Sequence, residues 1–311
     1  MNQSTLPPNL RKIPTGVWTA LATPFDEKGR LDWEAFDGLL ARQLAARVTG
    51  VVVVGSTGEA TSLTVQEKLS LIRRAYAKVG NQLCIMAGTG LSNTDQTVEL
   101  SKLAVEAGAD SLLVVTPPYN RPNIDGLVAH YEAIGREVPA PICIYHVPHR
   151  TGRRLSVAEF SRLAELPFVR MIKDSSADIA LFSRARLACS VPFVSGDDTT
   201  YLASRAVGGV GWVSVGSNVF PEACMEMDRA FGAGDTQKAL QLHEILSPFF
   251  QLLECDSNPI PLKGALSVVG MCRNEVRLPL SALSPEWMEK MGETVHHTQE
   301  KLREIQVGPL L

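Results

Sequence analysis

The best-placed nucleophile in the chain is Lys173. It ends the apolar run Phe168-Val169-Arg170-Met171-Ile172 and precedes a polar turn, Asp174-Ser175-Ser176. An amine held where a buried strand gives way to a loop loses solvation, which disfavours its charged form and leaves it nucleophilic near neutral pH. Taken alone, the same residue reads as an ordinary strand-end lysine in water, as most lysines are. The residues after other apolar runs favour the reactive reading. Ile142–Tyr145 ends in a phenol and continues into Val147-Pro148-His149-Arg150-Thr151-Gly152. Ser111–Val115 runs into Thr116-Pro117-Pro118-Tyr119-Asn120, and Val51–Val54 into Gly55-Ser56-Thr57-Gly58-Glu59.

These residue types suit one another. A turn with two hydroxyls and backbone N–H groups between glycines can hold a carboxylate. An arginine can clamp a second carboxylate with two parallel hydrogen bonds, a phenol can carry protons, and an amine can form an imine with a carbonyl. Singly, each has a plainer explanation: a rim tyrosine, a surface ion pair, a Gly/Ser/Thr loop. Together they point to Schiff-base chemistry on a keto acid.

Composition excludes other classes. The chain has 311 residues, 45% hydrophobic and 20% charged, with a formal net charge of -3. It carries no basic block or aromatic-interleaved basic stripe, so neither nucleic acid nor an anionic membrane is an expected partner. No apolar stretch is long enough to span a bilayer. Residues 1–13 have no apolar core of the kind a signal peptide needs. The six cysteines are scattered without a CxxC pair, which fits reduced thiols in the cytoplasm. The six histidines form no HExxH or similar pairing, so no metal is expected. GxGxxG is missing as well; Gly88-Thr89-Gly90 is a fragment of it that suits a tight turn.

The elements that must position these groups recur along the chain. Short apolar runs lie at Val17–Ala22, Val51–Val54, Leu83–Ala87, Ser111–Val115, Ile142–Tyr145, Val169–Ile172, Phe193–Ser195 and Gly211–Val215. They read as strands buried on both faces. Between them lie helical patterns, with Leu39, Leu40, Leu44 and Ala45 on one side of the first and Leu69, Ile72 and Ala75 on one side of the second. Thr64-Val65-Gln66-Glu67 fits a capping box, and Ser284-Pro285-Glu286 does so in part. Eight β-then-α units with right-handed crossovers predict an α/β fold, a (β/α)8 TIM barrel, over an open doubly wound sheet. Residues 1–233 are expected to form the barrel. Residues 234–311 are expected to pack on it as a C-terminal helical extension, with helices at Asp235–Leu253, Pro259–Val269 and Glu286–Glu304. In such a barrel reactive side chains sit at the carboxyl ends of the strands.

From about Gly16 to Leu280 the chain resembles the dihydrodipicolinate synthase / N-acetylneuraminate lyase family of class I aldolases. The matching segments are Thr23-Pro24-Phe25, Gly55-Ser56-Thr57-Gly58-Glu59, Ala87-Gly88-Thr89-Gly90, Thr116-Pro117-Pro118-Tyr119-Asn120, Tyr145 with Pro148 and Arg150-Thr151-Gly152, Ile172-Lys173-Asp174, and Ser195-Gly196-Asp197-Asp198. Arg150, Asn258-Pro259-Ile260-Pro261-Leu262-Lys263 and Arg277-Leu278-Pro279-Leu280 resemble the synthase branch. Ser56 stands where that branch usually has threonine and the sialic-acid lyases have serine.

The resemblance implies that Lys173 forms an imine with pyruvate, which then condenses with L-aspartate 4-semialdehyde in lysine and diaminopimelate biosynthesis. It further implies that Tyr145 carries protons through Ser56 to Tyr119, the last reaching in from a neighbouring subunit of a homo-oligomer, usually a tetramer built as a dimer of dimers. Ser56 and Thr57 would bind the pyruvate carboxylate, Arg150 the carboxylate of the aldehyde substrate, and Gly196 and Val213 would line the site. No cofactor is implied, the covalent lysine being the electron sink. Two other readings stand beside this one: a lyase of N-acetylneuraminate or a 2-keto-3-deoxy sugar acid, and a non-catalytic barrel that binds a keto acid.

Two departures from the family pattern carry expectations. His146 and His149 replace the usual asparagine and serine, and would either add positive charge near an anionic substrate or fill the rim. At positions that bind lysine in feedback-inhibited relatives the chain has Ala60, Thr61, Val65, Lys68, Ser92, Gln96 and Pro118. A cationic effector would meet Lys68 without a compensating acid, so millimolar lysine is expected to leave activity largely untouched.

Overall fold

The computed structural model describes residues 13–308; the amino-terminal segment lies, but for Ile13, outside them. The expected strands are all present: β1 (Gly16–Ala20), β2 (Gly50–Val53), β3 (Cys84–Gly88), β4 (Ser111–Val115), β5 (Ile142–His146), β6 (Val169–Asp174), β7 (Phe193–Ser195) and β8 (Gly211–Ser214). They pair in parallel in chain order, and β8 pairs with β1 to close the barrel. The helices around it are α1 (Trp33–Ala45), α2 (Val65–Val79), α3 (Thr94–Glu106), α4 (Ile124–Glu137), α5 (Pro148–Thr151), α6 (Val157–Ala164), α7 (Ile179–Ala188), α8 (Tyr201–Ala206) and α9 (Pro221–Gly232). Beyond them come α10 (Thr236–Leu252), α11 (Ile260–Val268) and α12 (Pro285–Glu304). The fold is the α/β TIM barrel with C-terminal helices.

The strands are apolar throughout because both faces are covered. Successive side chains alternate between the lumen and the outer layer. Trp18, Val52, Met86, Leu113, Cys143, Met171, Val194 and Val213 fill the lumen. Val17, Val51, Ile85, Leu112, Ile144, Ile172 and Trp212 face the helices. This alternation decides which strand-end residues reach the site.

Thr64 and Glu67 form the expected capping box at the start of α2. Ser284 precedes α12 but its side chain makes no capping bond, so the expectation there fails: Pro285 at the first position offers no N–H, and its fixed φ suits a helix start without help. On α1 the buried stripe is Phe36, Leu39, Leu40 and Gln43. Ala45 lies on the exposed side, because a stripe drifts around a helix of 3.6 residues per turn.

The C-terminal helices are tied to the loop after β2. Lys263, fully buried on α11, pairs with the buried Glu59 carboxylate and donates to the Glu275 carbonyl at 2.7 Å. Arg277 donates its backbone N–H to Glu59 at 2.9 Å and its guanidinium to Glu67, and lies 4.4 Å from the Phe25 ring centroid. Phe250 of α10 packs edge-on to Trp212 at 5.7 Å, and Phe249 to Phe220 at 5.0 Å. Burying each such ring contributes about 2 kcal/mol.

Candidate active site

Lys173 shares strand parity with Met171 and so points into the lumen. Its residue is 6% exposed, and Nζ lies 4.2 Å from the ring centroid of Tyr145, itself 7% exposed. The two are direct partners in the β5–β6 ladder. β6 runs two residues past the expected Val169–Ile172, so Lys173 lies within the strand and Asp174, expected to open the turn, ends it. Paired backbone on both sides makes it a rigid platform.

Gly196 packs against this lysine. A Cβ on it would lie 2.5 Å from Lys173 Cε and 1.9 Å from Ser175 Oγ, so any larger residue would displace both side chains from where they stand. The Ser175 hydroxyl is buried without a hydrogen-bond partner among the described residues and lines the same space.

That space is a cavity of about 650 Å³ at the carboxyl ends of the strands. Ser56, Thr57, Tyr145, Arg150, Lys173 and Gly196 all line it. In the Ser56–Thr57 turn the N–H groups of Gly58, Glu59 and Ala60 close onto Gly55 and Ser56 carbonyls. The N–H groups of Ser56 and Thr57 meet no protein acceptor among the described residues, which leaves them for a ligand anion. Thr57 is held by Asn258, whose Nδ2 donates to Thr57 Oγ1 at 2.9 Å. The Asn258 carbonyl accepts from Arg150 at 3.0 Å. Arg150 is exposed at the rim and pairs with no carboxylate among the described residues.

Two acids close the wall beside the lysine. Asp198 is buried and accepts from Ser214 Oγ at 2.6 Å and from the backbone of Val215 and Gly216; burial pushes it up to about 6. Asp197, half-buried, is pushed up to about 7 by desolvation, with Lys173 pulling down and Asp174 and Asp198 pushing up.

Not every expected residue arrives in the cavity. Val213 lies in the lumen core beneath it, and Val215, two residues on, lines the wall instead. Tyr119 is 92% exposed with φ 68° and is absent from the lining of this cavity. His146 is at neither the substrate nor the rim, contrary to both expectations. It is fully buried on the outer face, where strand parity puts it, against Phe160. His149 is exposed and lines the cavity, and partial burial with Arg150 nearby lowers its pKa.

A second cavity of about 350 Å³ shares Ser56, Tyr145 and Arg150 with the first. Ala60, Thr61, Lys68 and Pro118 line it, whereas Val65, Ser92 and Gln96 do not. Lys68 is 6% exposed without an acid partner among the described residues, and desolvation lowers its pKa.

Sequence reasoning missed Asn258 and Ser175 as site groups. Asn258 lies 85 residues beyond Lys173, and its role emerges only from α10 and α11 folding back over the barrel mouth. Ser175 is polar in a polar turn, with nothing local to mark its burial. Among the described residues no three His, Cys, Asp or Glu side chains converge as metal ligands would.

Comparison with known proteins bears on this geometry. Residues 13–298 match the Dihydrodipicolinate synthetase family. The 4-hydroxy-tetrahydrodipicolinate synthase of Moorella thermoacetica is 40% identical over 289 residues, covering 91% of this chain and 97% of the relative. The structure of the 4-hydroxy-tetrahydrodipicolinate synthase from Methylacidiphilum fumariolicum SolV superposes with a TM-score of 0.91 at 36% identity, covering 94% of this chain and 99% of that one. The chloride-inhibited dihydrodipicolinate synthase from Acinetobacter baumannii, solved in complex with pyruvate, gives 0.89 at 35% identity, covering 91% and 98%.

Proposed function

The chain belongs to the dihydrodipicolinate synthetase family, and on that footing we propose how its site works. It is a lyase of class I aldolase type that carries out the 4-hydroxy-tetrahydrodipicolinate synthase reaction of lysine and diaminopimelate biosynthesis. Pyruvate is the first substrate and L-aspartate 4-semialdehyde the second. The observation that carries this reading is the apposition of the Lys173 amine and the Tyr145 ring at 4.2 Å in the floor of the cavity.

Lys173 Nζ attacks the pyruvate ketone carbon, and water leaves to give the imine. The imine withdraws electrons, so a methyl proton is lost and an enamine forms. The enamine carbon attacks the aldehyde of the second substrate. The amino group of that substrate then adds to the imine carbon and expels the Lys173 amine, closing the ring. Tyr145 moves the protons, relayed through Ser56 to Tyr119 of a neighbouring subunit. Support for the relay is that Ser56 and Tyr145 share both cavities while Tyr119 stands out from its own chain. Ser56 and Thr57 bind the pyruvate carboxylate with their unengaged N–H groups. Arg150, without an acid partner among the described residues, takes the carboxylate of the semialdehyde in a bidentate grip. Gly196 gives the lysine room, and Val213 supports the site from below. No cofactor is needed, because the imine itself is the electron sink. A cytoplasmic homo-oligomer is the form in which we expect the site to be complete; the six free thiols suit that compartment.

The test is borohydride reduction in the presence of pyruvate. A stable adduct at Lys173, absent from K173A, is the expected result. Steady-state assays then supply the acceptor half: R150A should raise KM for aspartate semialdehyde about tenfold or more and leave the adduct yield unchanged. No adduct on folded protein, or cleavage of N-acetylneuraminate in place of condensation, would overturn the assignment.

A further inference from the structure

We propose that His146 and Asp174, on the outer face of the barrel, form a positioning pair that holds Lys173 against Tyr145. The proposal rests on the imine reading of Lys173 and deepens it. The two catalytic side chains and the two outer ones are consecutive ladder partners, Tyr145 with Lys173 and His146 with Asp174. Strand alternation sends the first pair into the lumen and the second behind it. The β5–β6 register needs such a lock, because it shifts at a bulge between Ile142 and Cys143, just before the catalytic residues. A slip of one residue would turn Tyr145 or Lys173 out of the lumen.

The outer pair fixes the register beyond that bulge. His146 Nδ1 lies 2.6 Å from Asp174 Oδ1, and both residues are buried. The Leu155 N–H donates to His146 Nε2 at 3.1 Å, so Nε2 carries the lone pair and the proton sits on Nδ1, donated to Asp174. Neighbouring bonds hold the acid in turn. Ser176 Oγ donates to Asp174 Oδ2 at 2.8 Å, and the Gly196 N–H donates to the Asp174 carbonyl at 2.8 Å. The histidine ring stands edge-on to Phe160 at 4.9 Å. Every hydrogen-bonding nitrogen of the imidazole is therefore assigned, and the histidine cannot turn without breaking one of these bonds. Neither residue lines the cavity, so the pair reaches Lys173 and Tyr145 through the strands that carry them; the Asp174 charge also bears on Asp197 in the cavity wall.

H146F, H146N and D174N are compared with the parent by melting temperature, by kcat and pyruvate KM, and by borohydride trapping. H146F keeps the ring on Phe160 but loses the donor, and is expected to lower kcat about tenfold while pyruvate KM stays within about threefold. H146N returns an N–H donor toward Asp174 and should recover most of kcat, even if its melting temperature stays low. D174N keeps the shape of the acid but not its charge, and should lower kcat; pyruvate KM is not its readout, because the lost charge also acts on Asp197, and its kcat decides the matter if H146F does not fold. Parental kcat in H146F or D174N, or losses in H146F and H146N that simply track their melting temperatures, would overturn the proposal. An untrapped parent would instead reject the imine on Lys173, a separate result.

Discussion

At Lys173 the fold must keep an amine both buried and reachable. Strand pairing on either side, the Tyr145 ring and the bare Cα of Gly196 meet the first need, and the open cavity above meets the second. Asp197 adds a pH dependence to this arrangement. Its pKa is raised from the ordinary carboxyl value to about 7, so it is neutral below that pH and a carboxylate above it. The charge then appears in the wall of the cavity that pyruvate, an anion, must enter. Pyruvate KM is accordingly expected to rise about fivefold from pH 6 to pH 8 in the parent, and D197N should flatten the profile. Equal slopes in the two proteins would remove Asp197 from the account. Lys173, Tyr145 and Arg150 were legible in the sequence because each ends an apolar run or comes soon after one. His146 was not, since parity, which depends on where the strand begins, decides between lumen and outer face.

Among the elements, the loop after β2 bears the most load. It offers Ser56 and Thr57 to the cavity on one side and Glu59 to the C-terminal helices on the other. Glu59 has φ 52°, a left-handed conformation that its bonds to Lys263 and Arg277 hold in place. Arg277 also reaches Glu67 on α2, and its hydrogen bonds pull the Glu67 pKa from 4.5 down to about 2. A carboxylate with a depressed folded pKa stabilises the fold above its unfolded value, and that contribution fades as pH falls from 4.5 to about 2. E67Q should therefore cost about 1 kcal/mol at pH 7, read as a lower melting temperature, and the difference should vanish toward pH 2. A difference constant with pH would point to packing, not charge. The strand and helix pattern was readable from apolar periodicity. The clamp was not, because Glu59, Lys263 and Arg277 are spread over more than two hundred residues and no local pattern pairs them.

At the scale of the whole molecule, the proton relay proposed for Tyr145 calls on the Tyr119 of a second copy. Tyr119 is 92% exposed and held at a positive φ. If it serves a neighbouring subunit, Y119F should lose at least about tenfold in kcat as a homo-oligomer. Mixing unfolded Y119F and K173A chains and refolding them together should then restore activity above the sum of the two. Each hybrid site that joins an intact lysine to an intact tyrosine would be competent. A mixture no more active than its parts would place Tyr119 outside the relay. The Tyr119 motif stood out in the sequence, but its exposure came only with the fold.

Local chemistry in the sequence settled the barrel, the eight strands and the identity of the lysine, phenol and arginine at their ends. Those features rest on patterns of a few residues: apolar runs, turn residues, and the polar groups at the end of each run. The folded chain decided the rest. It put His146 behind the site, brought Asn258 to Thr57 across two hundred residues, and set Lys173 and Ser175 against the bare Cα of Gly196. Such facts depend on distances between segments remote in sequence, and only closure of the barrel and the return of the C-terminal helices sets those distances.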